Sequence, residues 1–94
     1  MPFHDIRTRC AGAIAGALEA AFDHRAGQVA LEVPPRRSLG DLAWPGALPL
    51  ARVLRRAPRE IAETVVATAV WPEGVARVEV AGPGFVNVFL DRPG

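Results

Sequence analysis

Hydrophobic residues recur at three- and four-residue spacings from residue 5 to about residue 23. Ile6, Cys10, Ala13, Ile14, Ala17, Leu18, Ala21 and Phe22 fall on one stripe, the mark of an amphipathic α-helix. Gly12 and Gly16 inside it lower its intrinsic helicity but leave room for another element to approach. The period then changes. Val29, Leu31 and Val33 alternate with Gln28, Ala30 and Glu32, which predicts a strand stopped by Pro34-Pro35. Arg36-Arg37-Ser38-Leu39-Gly40 predicts a polar loop, after which Asp41 is placed to cap a helix. Pro45 and Pro49 disfavour an early start, so the regular part of that helix is expected over residues 50–56, with 41–48 irregular. Pro58, followed by Ile61, Ala62, Val65, Val66, Ala69 and Val70, predicts a further helix that Trp71-Pro72-Glu73-Gly74 ends. Two strands complete the chain, residues 75–80 and 85–90, joined by a tight turn at Ala81-Gly82-Pro83-Gly84.

The order helix, strand, helix, helix, strand, strand (α-β-α-α-β-β) predicts an α+β fold: a small antiparallel sheet of about three strands with helices on one face. The other sheet face is left to solvent or to a partner. Side chains of a strand alternate, so Val86, Val88 and Leu90 point one way while Phe85, Asn87 and Phe89 point the other. In the strand before, Ala76, Val78 and Val80 oppose Arg77 and Glu79. If the aliphatic faces meet the helices, Arg77, Glu79, Phe85, Asn87 and Phe89 share the open face. An aromatic ring beside a carboxamide is a minimal unit for holding an unpaired nucleobase, because the ring stacks on its π-face and the amide bonds to its edge. The alternative is structural: Phe85 and Phe89 pack under a loop or the N-terminal segment, and Asn87 hydrogen-bonds to backbone.

Composition narrows these choices. The 94 residues, 50% of them hydrophobic, suffice for one core and a single domain over residues 1–94. A net charge of +1 gives no global basic field, so any nucleic-acid contact must be local. All eleven basic side chains other than histidine are arginine; codon bias in a GC-rich genome and a need for guanidinium geometry both fit this. Cys10 is the only cysteine, which rules out an internal disulfide and suits a reducing compartment. No apolar run reaches the length of a membrane span, and Met1-Pro2-Phe3-His4-Asp5 lacks the layout of a signal peptide. A soluble, cytoplasmic protein is expected.

Chemistry-bearing constellations are scarce. His4, His24 and Cys10 do not have metal-site spacing, and neither a metal nor another cofactor is implied. Ser38, the only serine, is not in a nucleophile-elbow setting. Gly82-Pro83-Gly84 joins two strands, whereas phosphate-cradling loops lead into a helix, and Pro83 has no N–H to offer. Arg52, Arg56 and Arg59 would line one side if their helix continued toward Pro58, where they would meet phosphates or form a solvated face with Glu60 and Glu63 as partners. Arg36 and Arg37 carry the same two readings. Trp44 and Trp71 each precede a proline, which predicts packed corners at element boundaries.

Three motifs in order carry a resemblance over nearly the whole chain. Gly40-Asp41-Leu42-Ala43-Trp44-Pro45 with Leu50-Ala51-Arg52, then Pro58-Arg59-Glu60-Ile61-Ala62-Glu63, then Gly82-Pro83-Gly84-Phe85-Val86-Asn87 resemble the corresponding segments of the N-terminal additional domain of arginyl-tRNA synthetases. The family's versions read Gly-Asp-x-Ala leading into Leu-Ala-Lys/Arg, Pro-x-x-Ile-Ala-Glu, and Gly-Pro-Gly-Phe-Ile-Asn. Trp44-Pro45-Gly46 departs from the Thr/Ser-Asn pair of many bacterial members.

The resemblance implies a tRNA-binding domain that holds the elbow of arginine tRNA through its D-loop in support of aminoacylation. It implies that residues at the positions of Phe85 and Asn87 contact an exposed D-loop base. On this reading Phe89 joins that surface, and Arg77, Arg36, Arg52 and Arg56 supply phosphate contacts. The alternative function is a protein-interaction module that keeps the fold without tRNA binding. The chain carries neither the His-x-Gly-His nor the Lys-Met-Ser-Lys signature of the class I catalytic domain. By itself it is therefore not expected to charge tRNA, and it reads as an excised domain or a free-standing relative that works beside a synthetase catalytic domain.

Overall fold

The computed structural model describes residues 3–91. Met1, Pro2 and Arg92-Pro93-Gly94, on which readings of the chain's start and finish rest, lie outside the described residues, as do the side chains of residues 3–5 and of Arg37. The helix expected first is α1, Phe3–Phe22. Its stripe buries Ile6, Cys10, Ile14, Ala17 and Leu18. Burial pushes the Cys10 thiol pKa up, which keeps it a protonated packing group. The helix ends with Asp23 in the left-handed region (φ 52°), while the Asp23 and His24 amides donate to Glu19 and Leu18 carbonyls at 3.0 and 3.2 Å. Gly12 and Gly16 are exposed and face open space, so no described element uses the close approach they permit.

The next stretch departs from expectation. Residues 28–33 form no strand: Leu31 is buried but Val33 is 61% exposed, and only Glu32 makes a ladder contact, an isolated antiparallel bridge to Ala43. An Arg7 guanidinium donates to the Leu31 carbonyl and ties this connection to α1. After a single 3-10 turn at Arg37–Leu39 comes the actual first strand, β1, Leu42–Trp44. It falls where an irregular helix start was expected. Asp41 consequently does not cap a helix; its Oδ2 accepts the Leu90 N–H at 2.9 Å, and its own N–H donates to Val88 O at 2.8 Å. Gly40, at φ 101°, permits this pairing, since a Cβ there would meet the Val88 carbonyl oxygen at 2.9 Å.

Helix α2, Ala47–Leu54, begins earlier than expected. Pro49 lies in its first turn, where its missing N–H costs nothing. Arg55 adopts a left-handed conformation (φ 55°) that ends it. Helix α3, Pro58–Thr68, opens on Pro58 and buries Ile61, Ala62 and Val65. The helix does not continue toward Pro58, so the arginine stripe that depended on it does not form: Arg52 lies on α2, Arg59 on α3 and Arg56 in the link. Trp71 forms a packed corner, its indole N–H donating to Val66 O at 3.2 Å. Trp44 is buried, and a Cβ on Gly46 would overlap its indole, which gives the Trp44-Pro45-Gly46 variant its own packing logic.

Strand β2, Val75–Ala81, and strand β3, Phe85–Leu90, form the expected hairpin. The sheet order is β1-β3-β2 with antiparallel pairing throughout, so β3 is central. The fold is thus α+β, with helices on one sheet face, and the expected order of helices and strands holds although the first strand comes from a different stretch. Pairing passes from Val75↔Leu90 to Arg77↔Phe89, so a bulge expels Ala76 and turns Val75, rather than Ala76, toward the core. Val86 and Val88 are fully buried against Leu42, Trp44, Ile61 and Val65. Burying each large aliphatic side chain of such a set stabilises by roughly 1.5–3 kcal/mol.

Candidate nucleic-acid interface

The face of the sheet away from the helices is built on one ladder row. Glu32 bridges Ala43, Ala43 pairs Asn87, and Asn87 pairs Glu79, so these four side chains share a face. One step toward the turn, Ala81 pairs Phe85; one step away, Arg77 pairs Phe89. The register therefore places Arg77, Glu79, Phe85, Asn87 and Phe89 together, as the alternation of residues 75–90 predicts.

A groove of about 430 Å³ opens on this face, lined by Glu32, Pro34, Pro35, Leu39, Ala43, Ala81, Gly82, Phe85 and Asn87. Its floor is Ala43 and Asn87, and its walls are the Pro34-Pro35 and Leu39 connection on one side and the hairpin end on the other. Proline rings and Leu39 make the first wall apolar and stiff. The second is held by the turn. Gly84 (φ 153°) is buried so closely against α3 that a Cβ would meet Pro58 backbone and side-chain atoms at 2.9 Å, and Arg59 Nη1 donates to Gly82 O at 2.9 Å. The Gly-Pro-Gly segment thus serves to dock the hairpin on the start of α3.

Asn87 is the anomaly of this surface. It is 5% exposed, yet no described residue hydrogen-bonds to its carboxamide, and no buried side-chain polar atom among the described residues lacks a partner. Together these facts mean that its amide opens on the groove it lines. The purely structural reading of Asn87, a side chain bonded to backbone, does not describe this molecule. Phe85 is half-buried beside it.

The remaining candidates are distributed around the groove. Phe89 is half-buried and does not line it; the Arg77 guanidinium sits 4.0 Å from its ring centroid while Arg77 Nε bonds Glu79 Oε2 at 2.7 Å. A guanidinium so placed contributes about 0.5–1 kcal/mol at an exposed site and already covers one face of that ring. Arg36 is exposed on the same connection as Pro35 and Leu39. Arg52 is exposed on α2, and Arg56 bonds Glu60 at 3.0 Å and lies 5.4 Å from the Phe22 ring, so both belong to the helical side. Arg59 likewise pairs with Glu63 at 3.2 Å. Such exposed pairs are the solvated-face arrangement, each worth about 0–1 kcal/mol. Sequence periodicity missed Glu32, Pro34, Pro35, Leu39 and Ala43 as groove residues, because long-range pairing alone brings them to β3. Among the described residues no group of three His, Cys, Asp or Glu side chains comes together to hold a metal, and no helix is long and apolar enough to cross a membrane.

The fold and the groove define a small α+β domain with a helical layer behind a three-stranded sheet and an aromatic-amide groove in front. The chain belongs to the arginyl tRNA synthetase N terminal domain family, whose model matches residues 8–90. It is 43% identical over 75 residues to an arginine–tRNA ligase of Shouchella clausii, covering 79% of this chain and 14% of that protein. It is 37% identical over 94 residues to an arginine–tRNA ligase of Rhodospirillum rubrum, covering 95% of this chain and 16% of the relative. Among solved structures, Thermus thermophilus arginyl-tRNA synthetase superposes with a TM-score of 0.76 at 28% identity over 90% of this chain and 14% of that one. The Plasmodium falciparum arginyl-tRNA synthetase shares the fold with a TM-score of 0.76 at 12% identity. The chain spans only about one-seventh of the length of such relatives, 14% and 16% in the two ligases named.

Proposed function

We propose that this chain is the tRNA-holding part of an arginine–tRNA ligase system, and that its groove takes one exposed, unpaired base of the D-loop of arginine tRNA. The observation that carries the proposal is the Asn87 carboxamide, almost wholly buried by area yet without a protein partner, beside the Phe85 ring. An amide that opens on the groove and bonds to no described residue keeps its donor and its acceptor for a ligand, and a base edge offers the complementary groups. Phe85 offers the stacking surface. Family membership supports a tRNA partner and a catalytic domain acting on the same tRNA. Arg36, next to Pro35 of the groove wall, and Arg77, opposite Phe89 on the same sheet face, would meet phosphates flanking the bound base, whereas Arg52 and Arg56 would meet a more distant part of the RNA. Phe89 serves mainly to seat Arg77. Chemistry would belong to the catalytic partner, and the setting is cytoplasmic protein synthesis.

The test is a titration of arginine tRNA with the chain and with Phe85→Ala, at matched salt. Loss of the stacked ring is expected to weaken binding by about 1–3 kcal/mol. Unchanged affinity in a folded Phe85→Ala protein would remove the base from this groove.

A further inference from the structure

Glu32 has no role in the fold that requires a carboxylate. Its backbone makes both bonds of the bridge, Glu32 N–H to Ala43 O and Ala43 N–H to Glu32 O, each 2.8 Å, but its side chain is exposed and no described residue pairs with it. It nevertheless lines the groove that holds Asn87 and Phe85. The geometry of the row fixes its relation to the amide. Because Ala43 spends its N–H and C=O on Glu32, that pair is hydrogen-bonded and the Ala43–Asn87 pair is of the closer, non-bonded type; the two spacings sum to about 10 Å between the Glu32 and Asn87 Cα positions. Only the methyl of Ala43 stands between them. On the other side of Asn87, Glu79 is taken up by Arg77 at 2.7 Å. The groove thus presents two edge-reading groups, an amide that donates and accepts and a carboxylate that only accepts.

We infer that Glu32 is a specificity-determining residue that makes the groove select bases carrying an exocyclic amino group, adenine, cytosine or guanine, over uracil. The inference rests on the base-holding reading of the groove. An Asn side chain alone discriminates weakly, because turning its amide matches either a donor–acceptor or an acceptor–donor edge. A neighbouring carboxylate removes that freedom: it accepts an amino N–H but faces a uracil carbonyl with two acceptors opposed and no proton between them. The same negative charge disfavours a phosphate in the groove and leaves that role to the arginines at its margin.

The experiment uses four stem–loop RNAs whose loops are all uridine except for one position, occupied by A, C, G or U, titrated at fixed salt into the wild-type, Glu32→Gln and Asn87→Ala chains by fluorescence anisotropy. For the wild type, the three amino-bearing loops are expected to bind about tenfold or more tighter than the all-uridine loop. Glu32→Gln is expected to reduce that ratio to about threefold or less, since its carboxamide donates to a carbonyl as readily as it accepts from an amine. A Glu32→Gln chain that keeps the wild-type ratio, or a wild type that binds all four loops alike, overturns the role of Glu32. If Asn87→Ala binds all four loops as the wild type does, the base-holding reading itself fails; weakened binding of every loop by that variant keeps it. No measurable binding of any loop overturns both.

Discussion

The two faces of β3 are about equally hidden from solvent and do opposite things. Val86 and Val88 are 0% exposed and surrounded by apolar side chains of β1 and α3; Asn87, between them, is 5% exposed and sits over Ala43 with its amide unmatched. Low accessibility on the helix side records close packing, which stabilises the fold. On the groove side it records thin cover by Pro34, Pro35 and Leu39 around a carboxamide that bonds to no described residue. Burial alone does not distinguish the two faces; what their buried side chains touch does.

Substitutions on the two faces sharpen the contrast. The largest effect on stability is expected from Val88→Ala, which removes a fully buried side chain from the central strand and costs about 2–3 kcal/mol in denaturant unfolding, with RNA affinity of the folded protein kept. Gly84→Ala comes next. Its Cβ meets Pro58 at 2.9 Å in a backbone conformation (φ 153°) that side chains rarely adopt, so about 1–3 kcal/mol of stability should be lost. Because the hairpin end is also a groove wall, its RNA binding should weaken as well. The smallest stability effect belongs to Asn87→Ala, within about 1 kcal/mol of wild type or slightly stabilising, because no protein hydrogen bond is broken. Its RNA affinity should nevertheless fall. A large loss of stability in Asn87→Ala would put that residue with Val86 and Val88 and erase the distinction between the faces.

The groove's two walls differ in how far local pattern reveals them. The hairpin wall is legible because alternation over residues 85–90 and the Gly-Pro-Gly turn are local signals that tertiary structure does not override. Even there the bulge at Ala76 shifts which residue of β2 meets the core. The α1 and α3 stripes are legible for the same reason. The opposite wall is not. β1 is three residues long and buried on both faces, so Leu42-Ala43-Trp44 has no alternation to read, and its partner β3 lies far along the chain. Residues 28–33 alternate convincingly yet have only one ladder position to occupy, at Glu32. The nearby arginines are legible only as two alternatives: the link between α2 and α3 decides against a continuous stripe, and Arg56 and Arg59 pair with Glu60 and Glu63 as the solvated-face reading has it.

The central claim is that RNA meets the groove face of the sheet and leaves the core face and α1 alone. Backbone amide chemical shifts of the labelled chain, followed while arginine tRNA is added, test it directly. The account predicts progressive shifts at Glu32, Leu39, Ala43, Phe85 and Asn87, smaller ones at Arg77 and Phe89, and none along residues 10–20 of α1. Shifts concentrated on α1 and α2, with Phe85 and Asn87 unmoved, would contradict it.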